Sequence, residues 1–116
     1  MSQRASQVAE ELRKIISMIL IKDVNDPKLG FVTITRIEVT DDLRFARVFY
    51  SVFGDEAQQK ASENALMEHK GRIRHLAVEQ INMKFAMDMR FERDKSLDHS
   101  FHIDEILKKI KSEKPE

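Results

Sequence analysis

The sequence predicts a small α+β protein in which helices cover one face of a mixed three-stranded sheet and leave the other face open. Two stretches rich in β-branched residues, separated by the turn-like pair Asp41-Asp42, predict a β-hairpin. A helical stretch that begins at Glu56 separates this hairpin from a third strand, and a helical crossover favours parallel pairing of the strands that it joins. The element order is helix, strand, strand, helix, strand and short helix, which indicates a two-layer domain.

An amphipathic pattern near the N-terminus predicts the first helix. Its apolar residues recur three or four positions apart. They are Val8, Leu12, Ile15, Ile16, Ile19 and Leu20. Pro27 and Gly30 follow in the run N-D-P-K-L-G, and both residue types are typical of a chain that has left its helix. The first helix is therefore expected to end before this run.

The first predicted strand, which follows Gly30, changes its alternation halfway. Its apolar residues lie at even positions first and at odd positions later: Val32 and Ile34, then Ile37 and Val39. Side chains of a regular strand alternate between faces with a period of two, so this change of phase requires an irregularity. The sequence therefore predicts a β-bulge or a strong twist near Thr35 and Arg36.

The second predicted strand carries apolar side chains on both faces, which favours the central position in the sheet. One face has Ala46, Val48, Tyr50 and Val52, and the other has Leu43, Phe45, Phe49 and Phe53, interrupted by Arg47. The face with the three phenylalanines resembles the base-stacking surface of RNA-binding sheets. Three rings left in water would make a large apolar patch, so packing of the N-terminal or C-terminal helix on this face is the favoured interpretation.

The second half of the chain predicts a long helix from Glu56 to about Asn82 and a third strand over residues 85–92. Gly71 lies in the middle of this helix, at a cost of roughly 1 kcal/mol relative to alanine, and predicts a break or bend there. The strand alternates Phe85, Met87, Met89 and Phe91 with polar residues. A short final helix is expected around residues 103–110, with a flexible tail from about residue 111.

The composition limits the possible classes of protein. A chain of 116 residues fits a single domain, expected over residues 1–116. The absence of cysteine excludes disulfides and thiolate chemistry. No apolar run is long enough to cross a bilayer, and residues 1–7 lack an apolar signal core, so a cytoplasmic protein without a membrane partner is expected. The formal net charge of zero argues against a uniformly basic nucleic-acid-binding protein.

A local cluster of cations surrounds Gly71. Between residues 70 and 84 the cations are Lys70, Arg72, Arg74 and Lys84, and the single acid is Glu79. A helix that restarts after the glycine would point its positive dipole end at a phosphate, and arginine can hold two phosphate oxygens at once. The alternative is a solvated helix face beside a packing glycine, and on spacing alone the two interpretations are evenly balanced.

Support for catalysis is weak in the sequence. It has no nucleophile elbow, no phosphate-binding P-loop and no dinucleotide fingerprint. His99 and His102, with Asp98 and Asp104 nearby, could be interpreted as metal ligands of a metalloenzyme. The pair straddles a loop and the start of a helix, whereas metal sites have tighter ligand sets, so solvated polar residues are the favoured explanation.

Three motifs nevertheless point to a known family. They are D-V-N-D-P-K-L-G-F-V-T-I-T, D-D-L-R-F-A-R-V-F-Y-S-V-F-G and S-L-D-H-S-F-H-I-D-E-I-L. With V-A-E-E-L before them, they resemble the bacterial ribosome-binding factor A family from about residue 8 to residue 107. The resemblance implies a type II KH-like fold in which a helix–kink–helix with an Ala-x-Gly signature replaces the usual G-x-x-G loop. It also implies a monomeric, non-catalytic factor without a cofactor that binds the free small (30S) ribosomal subunit and contacts its 16S rRNA. Such a factor assists late maturation, including 5′-end rRNA processing and growth in the cold.

The resemblance places the kink at His69-Lys70-Gly71, with histidine where the family has alanine. The larger side chain would either change the tilt of two half-helices or point outward and join the basic surface. The V-P-E-L sequence common before the last strand is absent. The candidate RNA-binding residues are Lys70, Gly71, Arg72, Arg74, His75 and Lys84, with Arg13, Lys14, Lys28 and Arg47 as secondary contributors. Ribosomal proteins are further candidate partners, and a protein–protein adaptor that uses the aromatic sheet face is the alternative function.

Overall fold

The structure is a computed structural model that describes residues 2–81 and 87–95. Its first helix is α1 at Gln3–Ile19. It begins after Ser2, whose hydroxyl oxygen accepts a hydrogen bond from the backbone N–H of Ala5 at 3.1 Å. A serine in this position satisfies one of the amides that a helix start leaves without a partner. The predicted apolar stripe is confirmed, because α1 buries Leu12, Ile16 and Ile19.

An irregular turn connects α1 to the sheet. A π-helical turn at Leu20–Val24 ends at Asn25, which adopts a left-handed backbone conformation with φ of 42°. A 3-10 turn at Pro27–Leu29 follows. At the start of this turn the carboxylate of Asp26 accepts a hydrogen bond of 3.0 Å from the backbone N–H of Lys28. Gly30 has φ of 57°, and a Cβ atom there would lie 3.3 Å from the hydroxyl oxygen of Ser62. The turn therefore packs closely against the second helix.

The three strands are β1 at Phe31–Val39, β2 at Phe45–Phe53 and β3 at Asp88–Arg93. Their order in the sheet is β1-β2-β3, with β1 antiparallel and β3 parallel to the central β2. The register shifts between Ile34 and Arg36, as the change of phase in the sequence predicts. The fold class, the hairpin, the bulge, the central strand and the parallel pair are all confirmed.

The second helix, α2 at Glu56–Ile81, runs through Gly71 without interruption. Of the two expectations for this glycine, a break of the helix is therefore wrong, whereas a bend is compatible with a continuous helix. Glycine costs only roughly 1 kcal/mol relative to alanine in a helix, which packing of the residues around it can offset. Leu66, Ile73 and Ala77 are fully or almost fully buried on either side of Gly71, so the core holds both halves in one helix.

The core lies between the helices and one face of the sheet. The apolar residues of α1 and α2 pack with Ala46, Val48 and Tyr50 of β2 in a single buried cluster. Phe49 points to the opposite face and is not part of that cluster. Of the two helices expected to pack on the aromatic face, α1 covers the other face instead, and the C-terminal helix lies outside the described residues.

Some sequence-based expectations fall outside the described residues. These are Lys84, the first part of the third strand, the histidines His99 and His102, the final helix and the tail from about residue 111. Within residues 2–81 and 87–95, no helix is both long enough and apolar enough to span a membrane.

Candidate nucleic-acid interface

Gly71 lies on the exposed side of α2 and leaves the helix backbone open. Together with Arg74, His75 and Val78 it lines a shallow groove of about 190 Å³. The other three residues are three, four and seven positions after Gly71, so the four form one stripe along the helix. A Cβ atom at Gly71 would meet nothing within 4 Å in the described part of the chain. Gly71 is thus not packed against any residue that the structure describes, and on that part of the chain the helix backbone is open to close approach.

The cations near Gly71 form two flanks rather than one cluster. Successive residues of an α-helix are rotated by about 100°, so residues two apart point in nearly opposite directions. Lys70 and Arg74 are four residues apart and lie along one side of the Gly71 stripe, whereas Arg72 lies along the other. Lys70 and Arg72 are exposed and Arg74 is partly exposed. The sequence predicted the local charge, but helix geometry distributes it over both sides of the groove.

Arg74 also has a structural role. Its Nε–H donates a hydrogen bond to the backbone oxygen of Met87 at 2.9 Å, and its guanidinium lies 3.8 Å from the carboxylate of Asp88. Both contacts join α2 to the start of β3. Replacing Arg74 would therefore disturb packing as well as charge, in contrast to Lys70 and Arg72.

His75 faces the single acid that the sequence places in this region. Its Nε2 atom lies 3.6 Å from a carboxylate oxygen of Glu79, one helical turn later, and both side chains are mostly exposed. Like any exposed pair of this type, it contributes little to stability. His75 lines the groove beside Gly71, as expected for a residue that contacts a ligand there.

His69 turns away from this exposed stripe and contacts Asp26 of the turn that precedes β1. Its Nε2 atom lies 2.9 Å from the carboxylate of Asp26. The pKa of Asp26 lies below its usual value. The hydrogen bond with His69 is the largest cause, and the hydrogen bond from the Lys28 N–H is the second. The imidazole of His69 therefore does not join the basic surface, as one of the two expectations for this residue required.

Asp26, Glu68 and His69 bring three groups that can bind metals within 4.8 Å of one another. An imidazole and two carboxylates are ligands that zinc accepts. The contact between His69 and Asp26 already has the length of a hydrogen bond, and Glu68 is exposed. The hydrogen bond alone accounts for this arrangement. Asp26 was missed in the sequence because 43 positions separate it from His69, although an aspartate before Pro27 signals a capped turn.

The secondary cations do not share one surface with the Gly71 groove. Arg13 is paired with Glu10 on α1, which lowers the pKa of Glu10 and raises that of Arg13. Lys14 and Lys28 are exposed, on α1 and on the 3-10 turn. Arg47 lies on the open face of the sheet, opposite the helices. A single flat RNA surface cannot include both Arg47 and the Gly71 groove.

The open sheet face is dominated by arginines over Phe49. The guanidinium carbons of Arg36 and Arg47 lie 4.0 and 5.0 Å from the centre of its ring. Arg47 is held by Glu92 at 2.6 Å and Glu38 at 3.8 Å, and these contacts raise its pKa, with Glu92 as the larger cause. Phe49 is therefore covered by cations. The base-stacking hypothesis required an open ring, so Phe49 does not meet that requirement.

Asp94 completes this face and is buried there. Its carboxylate accepts a hydrogen bond from the hydroxyl of Thr35 at 2.7 Å and lies 3.8 Å from the guanidinium of Arg36. The same hydroxyl group lies 3.2 Å from the backbone oxygen of Phe49. No local pattern in the sequence indicates this link, because Thr35 and Asp94 are 59 positions apart. It anchors the bulge of β1 to the end of β3.

Comparison with known proteins gives one consistent result. The family model described as "Ribosome-binding factor A" matches residues 4–107. A ribosome-binding factor A from Halothermothrix orenii is 42% identical over 111 residues, which cover 96% of this chain and 91% of the relative. The corresponding protein of a Geobacter species is 44% identical over 110 residues, covering 95% and 92%.

Solved structures share the fold. A Thermotoga maritima structure described as a putative ribosome binding factor A matches with a TM-score of 0.68 at 28% identity, over 79% of this chain and 88% of that one. The crystal structure of ribosome-binding factor A from Thermus thermophilus matches with a TM-score of 0.65 at 17% identity, over 77% and 94%. The same architecture is thus found across most of the length of these proteins.

Proposed function

Because this chain belongs to the ribosome-binding factor A family, we propose that it binds the small ribosomal subunit and assists its late maturation. The match over residues 4–107 is the observation that carries this proposal. A Thermus thermophilus homologue with the same fold has been fitted into a cryo-EM map of a 30S complex, which supports a 30S partner here. The proposed factor is a cytoplasmic, non-catalytic monomer without a cofactor that contacts 16S rRNA and promotes 5′-end processing and growth in the cold.

The proposed RNA contact is the groove over Gly71. Lys70 and Arg74 lie on one side of it and Arg72 on the other, so a phosphate chain that follows the groove would meet positive charge on both sides. The amides of an uninterrupted helix are already hydrogen-bonded within the helix. Gly71 therefore contributes close approach rather than amide donors, and the cations supply the attraction.

The other predicted residues contribute to this proposal unequally. His75 lines the same groove, whereas Lys28 lies in the turn that His69 contacts, away from the groove. Lys84 stays a candidate from the sequence alone. Arg13 and Lys14 lie on α1, and Arg47 lies on the other face of the sheet. These three would need a second contact with the subunit, with rRNA or with a ribosomal protein.

The proposal is tested by sedimentation with purified small subunits over a range of salt concentrations. Lys70→Ala with Arg72→Ala is the most informative variant, because among the described residues neither side chain makes contacts like those of Arg74 with Met87 and Asp88. Every phosphate that a variant no longer neutralises should reduce the slope of log affinity against log salt by roughly 0.7–0.9. The double variant is therefore expected to bind more weakly, with a slope that is smaller by about one to two units.

Lys60→Ala is the matched control, since Lys60 is an exposed lysine on the same helix, three turns before the groove. It should leave both affinity and slope close to those of the parent. If the double variant and the control behave alike, the Gly71 groove is not the RNA contact. If the parent itself does not sediment with small subunits, the proposed function is wrong.

A further inference from the structure

A cavity of about 420 Å³ lies beside the first half of β1. Leu20 and Ile21, in the turn after α1, form one wall of it. The β1 wall contains Val32 and Ile34, which face the helices, and also Thr33, which faces the other side of the sheet. Among the described residues that line the cavity, none belongs to β2. A cavity that touches both faces of β1 without touching β2 opens at the outer edge of that strand.

The backbone at this edge has hydrogen-bonding groups that β2 does not use. The backbone oxygen of Tyr50 accepts the N–H of Asp94 at 2.7 Å, so the backbone groups of Tyr50 face β3. Ile34 is the partner of Tyr50 on β1, and Val32 is the partner of Val52 two residues later. Because backbone groups alternate in direction along a strand, Val32 and Ile34 turn their N–H and C=O groups away from β2. These groups point outward beside the cavity, and within residues 2–81 and 87–95 no strand lies on that side of β1.

Another extended chain matches this arrangement. A peptide that pairs with Val32 and Ile34 would turn every second side chain to the helix side of the sheet, toward the cavity. Ile21 is 68% exposed beside the cavity, so an apolar side chain placed there would cover it. Asp26 is the one charged side chain among the described lining residues. Its carboxylate disfavours a nucleic acid as the occupant, because it repels phosphate.

A second copy of this chain fits the edge less well. Its own β1 would bring Val32 and Ile34 to the helix side of the sheet, but both are already packed in its own core, where Ile34 is only 3% exposed. That strand therefore has no free apolar side chain for the cavity. The register shift between Ile34 and Arg36 also interrupts the edge, and bulges of this kind discourage pairing of two identical edges.

We propose that the outer edge of β1 binds an extended segment of a partner protein, which adds a strand to the sheet and places an aliphatic side chain in the cavity beside Ile21. None of the described residues that line the Gly71 groove lines this cavity. The proposal therefore concerns a separate surface and does not depend on the proposed function.

Nuclear magnetic resonance on the full chain tests the proposal, with a short blocked peptide of alternating threonine and leucine as the probe. In the free protein the amides of Val32 and Ile34 should exchange with solvent faster than the amide of Thr33, which faces β2. The peptide should slow the exchange of both amides and shift the resonances of Ile21. The same peptide N-methylated at its leucines keeps the apolar side chains but loses the donors that pair with β1, and it should not bind.

Val32→Pro removes an outward N–H and no hydrogen bond to β2, and proline is tolerated on an edge strand in that orientation. It should weaken peptide binding by roughly two- to tenfold, the effect of one hydrogen bond. Ile21→Ser tests the cavity itself and should weaken binding by roughly fourfold for each methylene that is no longer buried. Met67→Ser is the matched control, because Met67 is an exposed apolar residue on α2 that does not line the cavity, and binding should be unchanged. Circular dichroism would verify the fold of each variant.

Four results would overturn the proposal. Slow exchange of Val32 and Ile34 in the free protein at every concentration would mean that another part of the chain covers the edge. Slow exchange that depends on protein concentration would indicate a second copy as the occupant. Equal binding of the N-methylated peptide, or unchanged binding by Ile21→Ser, would show that neither strand pairing nor the cavity holds the peptide. Protection of these amides by a short RNA and not by the peptide would assign the edge to a nucleic acid.

Discussion

The β1–β2 hairpin and the middle of α2 each carry a local irregularity in sequence, and the structure treats them differently. In the hairpin the apolar pattern changes phase, and the backbone follows with a register shift between Ile34 and Arg36. In α2 a glycine interrupts the helical pattern, yet the helix continues through it. One irregularity shifts the strand register, and the other leaves the helix uninterrupted.

The difference lies in what each irregularity would bury. A hairpin without the bulge would turn either Ile34 or Ile37 away from the core, and both are almost completely buried. Gly71 has no side chain to bury, whereas Ile73 and Ala77 stay buried in the core only if the helix continues. Backbone geometry thus follows the larger buried surface. A position that faces solvent can keep an unfavourable residue such as Gly71 where it has another use.

The largest effect is expected in the hairpin, where the bulge places Ile34 in the core. Ile34→Ala should lower the free energy of unfolding by about 2–5 kcal/mol, because apolar burial is reduced and a cavity remains. Denaturant unfolding measured by circular dichroism would give this value. Thr33→Ala, at the exposed neighbouring position, is the control and should change it by less than about 1 kcal/mol. Equal destabilisation of the two variants would mean that the bulge does not direct Ile34 into the core.

The sequence predicts those features of the fold that its pattern of apolar residues encodes. The alternation of apolar residues was sufficient for the strands, the bulge, the strand order and the stripe of α1, because each reflects burial that the pattern itself encodes. The helix through Gly71 and the cover of Phe49 were not predictable in this way. They depend on Leu66 and Ile73 packing against a distant sheet, and on Arg36 reaching over an aromatic ring.

Only part of the candidate site was predicted from the sequence, and the reason is similar. Its cations are close in sequence, so the local charge was visible, but only the helix phase shows that Lys70 and Arg72 point to opposite sides. The link between His69 and Asp26 joins residues 43 positions apart, and no local pattern can reveal such a pair.

A smaller effect of opposite sign is expected in α2. Gly71→Ala should raise the free energy of unfolding by about 0.5–1 kcal/mol, because alanine is the better helix former and its Cβ meets open space. Gly71→Gln adds bulk to the groove while remaining compatible with the helix. It should therefore weaken binding to small subunits, measured by sedimentation, without destabilising the protein.

Gly54→Ala provides the control for this prediction. Gly54 has φ of 140°, and a Cβ atom there would collide with the side chain of Gln58. This variant should destabilise the protein in the same unfolding measurement, in contrast to Gly71→Ala. A decrease of stability in Gly71→Ala would show that the backbone at Gly71 is strained after all, and normal binding by Gly71→Gln would show that nothing approaches the helix there.

The smallest effect is expected at the contact between Asp26 and His69, which joins the turn before β1 to α2. The pKa of Asp26 is lowered, first by the hydrogen bond with His69 and then by the N–H of Lys28, so the folded state favours the charged carboxylate. A lowered pKa adds stability above the unfolded value of about 3.9, and this stability disappears as the pH falls through the folded value. Asp26→Asn keeps a side-chain oxygen for the Lys28 N–H, because asparagine also caps helix starts well.

The substitution therefore removes the charge and leaves the turn capped. The parent should be more stable than Asp26→Asn at neutral pH, and the difference should shrink as the pH falls below about 4 and Asp26 becomes protonated in the parent. Urea unfolding of both proteins at about pH 7 and about pH 3, above and below the unfolded value of about 3.9, measures this difference. A difference of the same size at both pH values would mean that packing of the turn, and not the carboxylate charge, holds it to α2. Since Gly30 already packs against Ser62 in that turn, the result also separates the contribution of shape from that of charge at the junction between the hairpin and the helix.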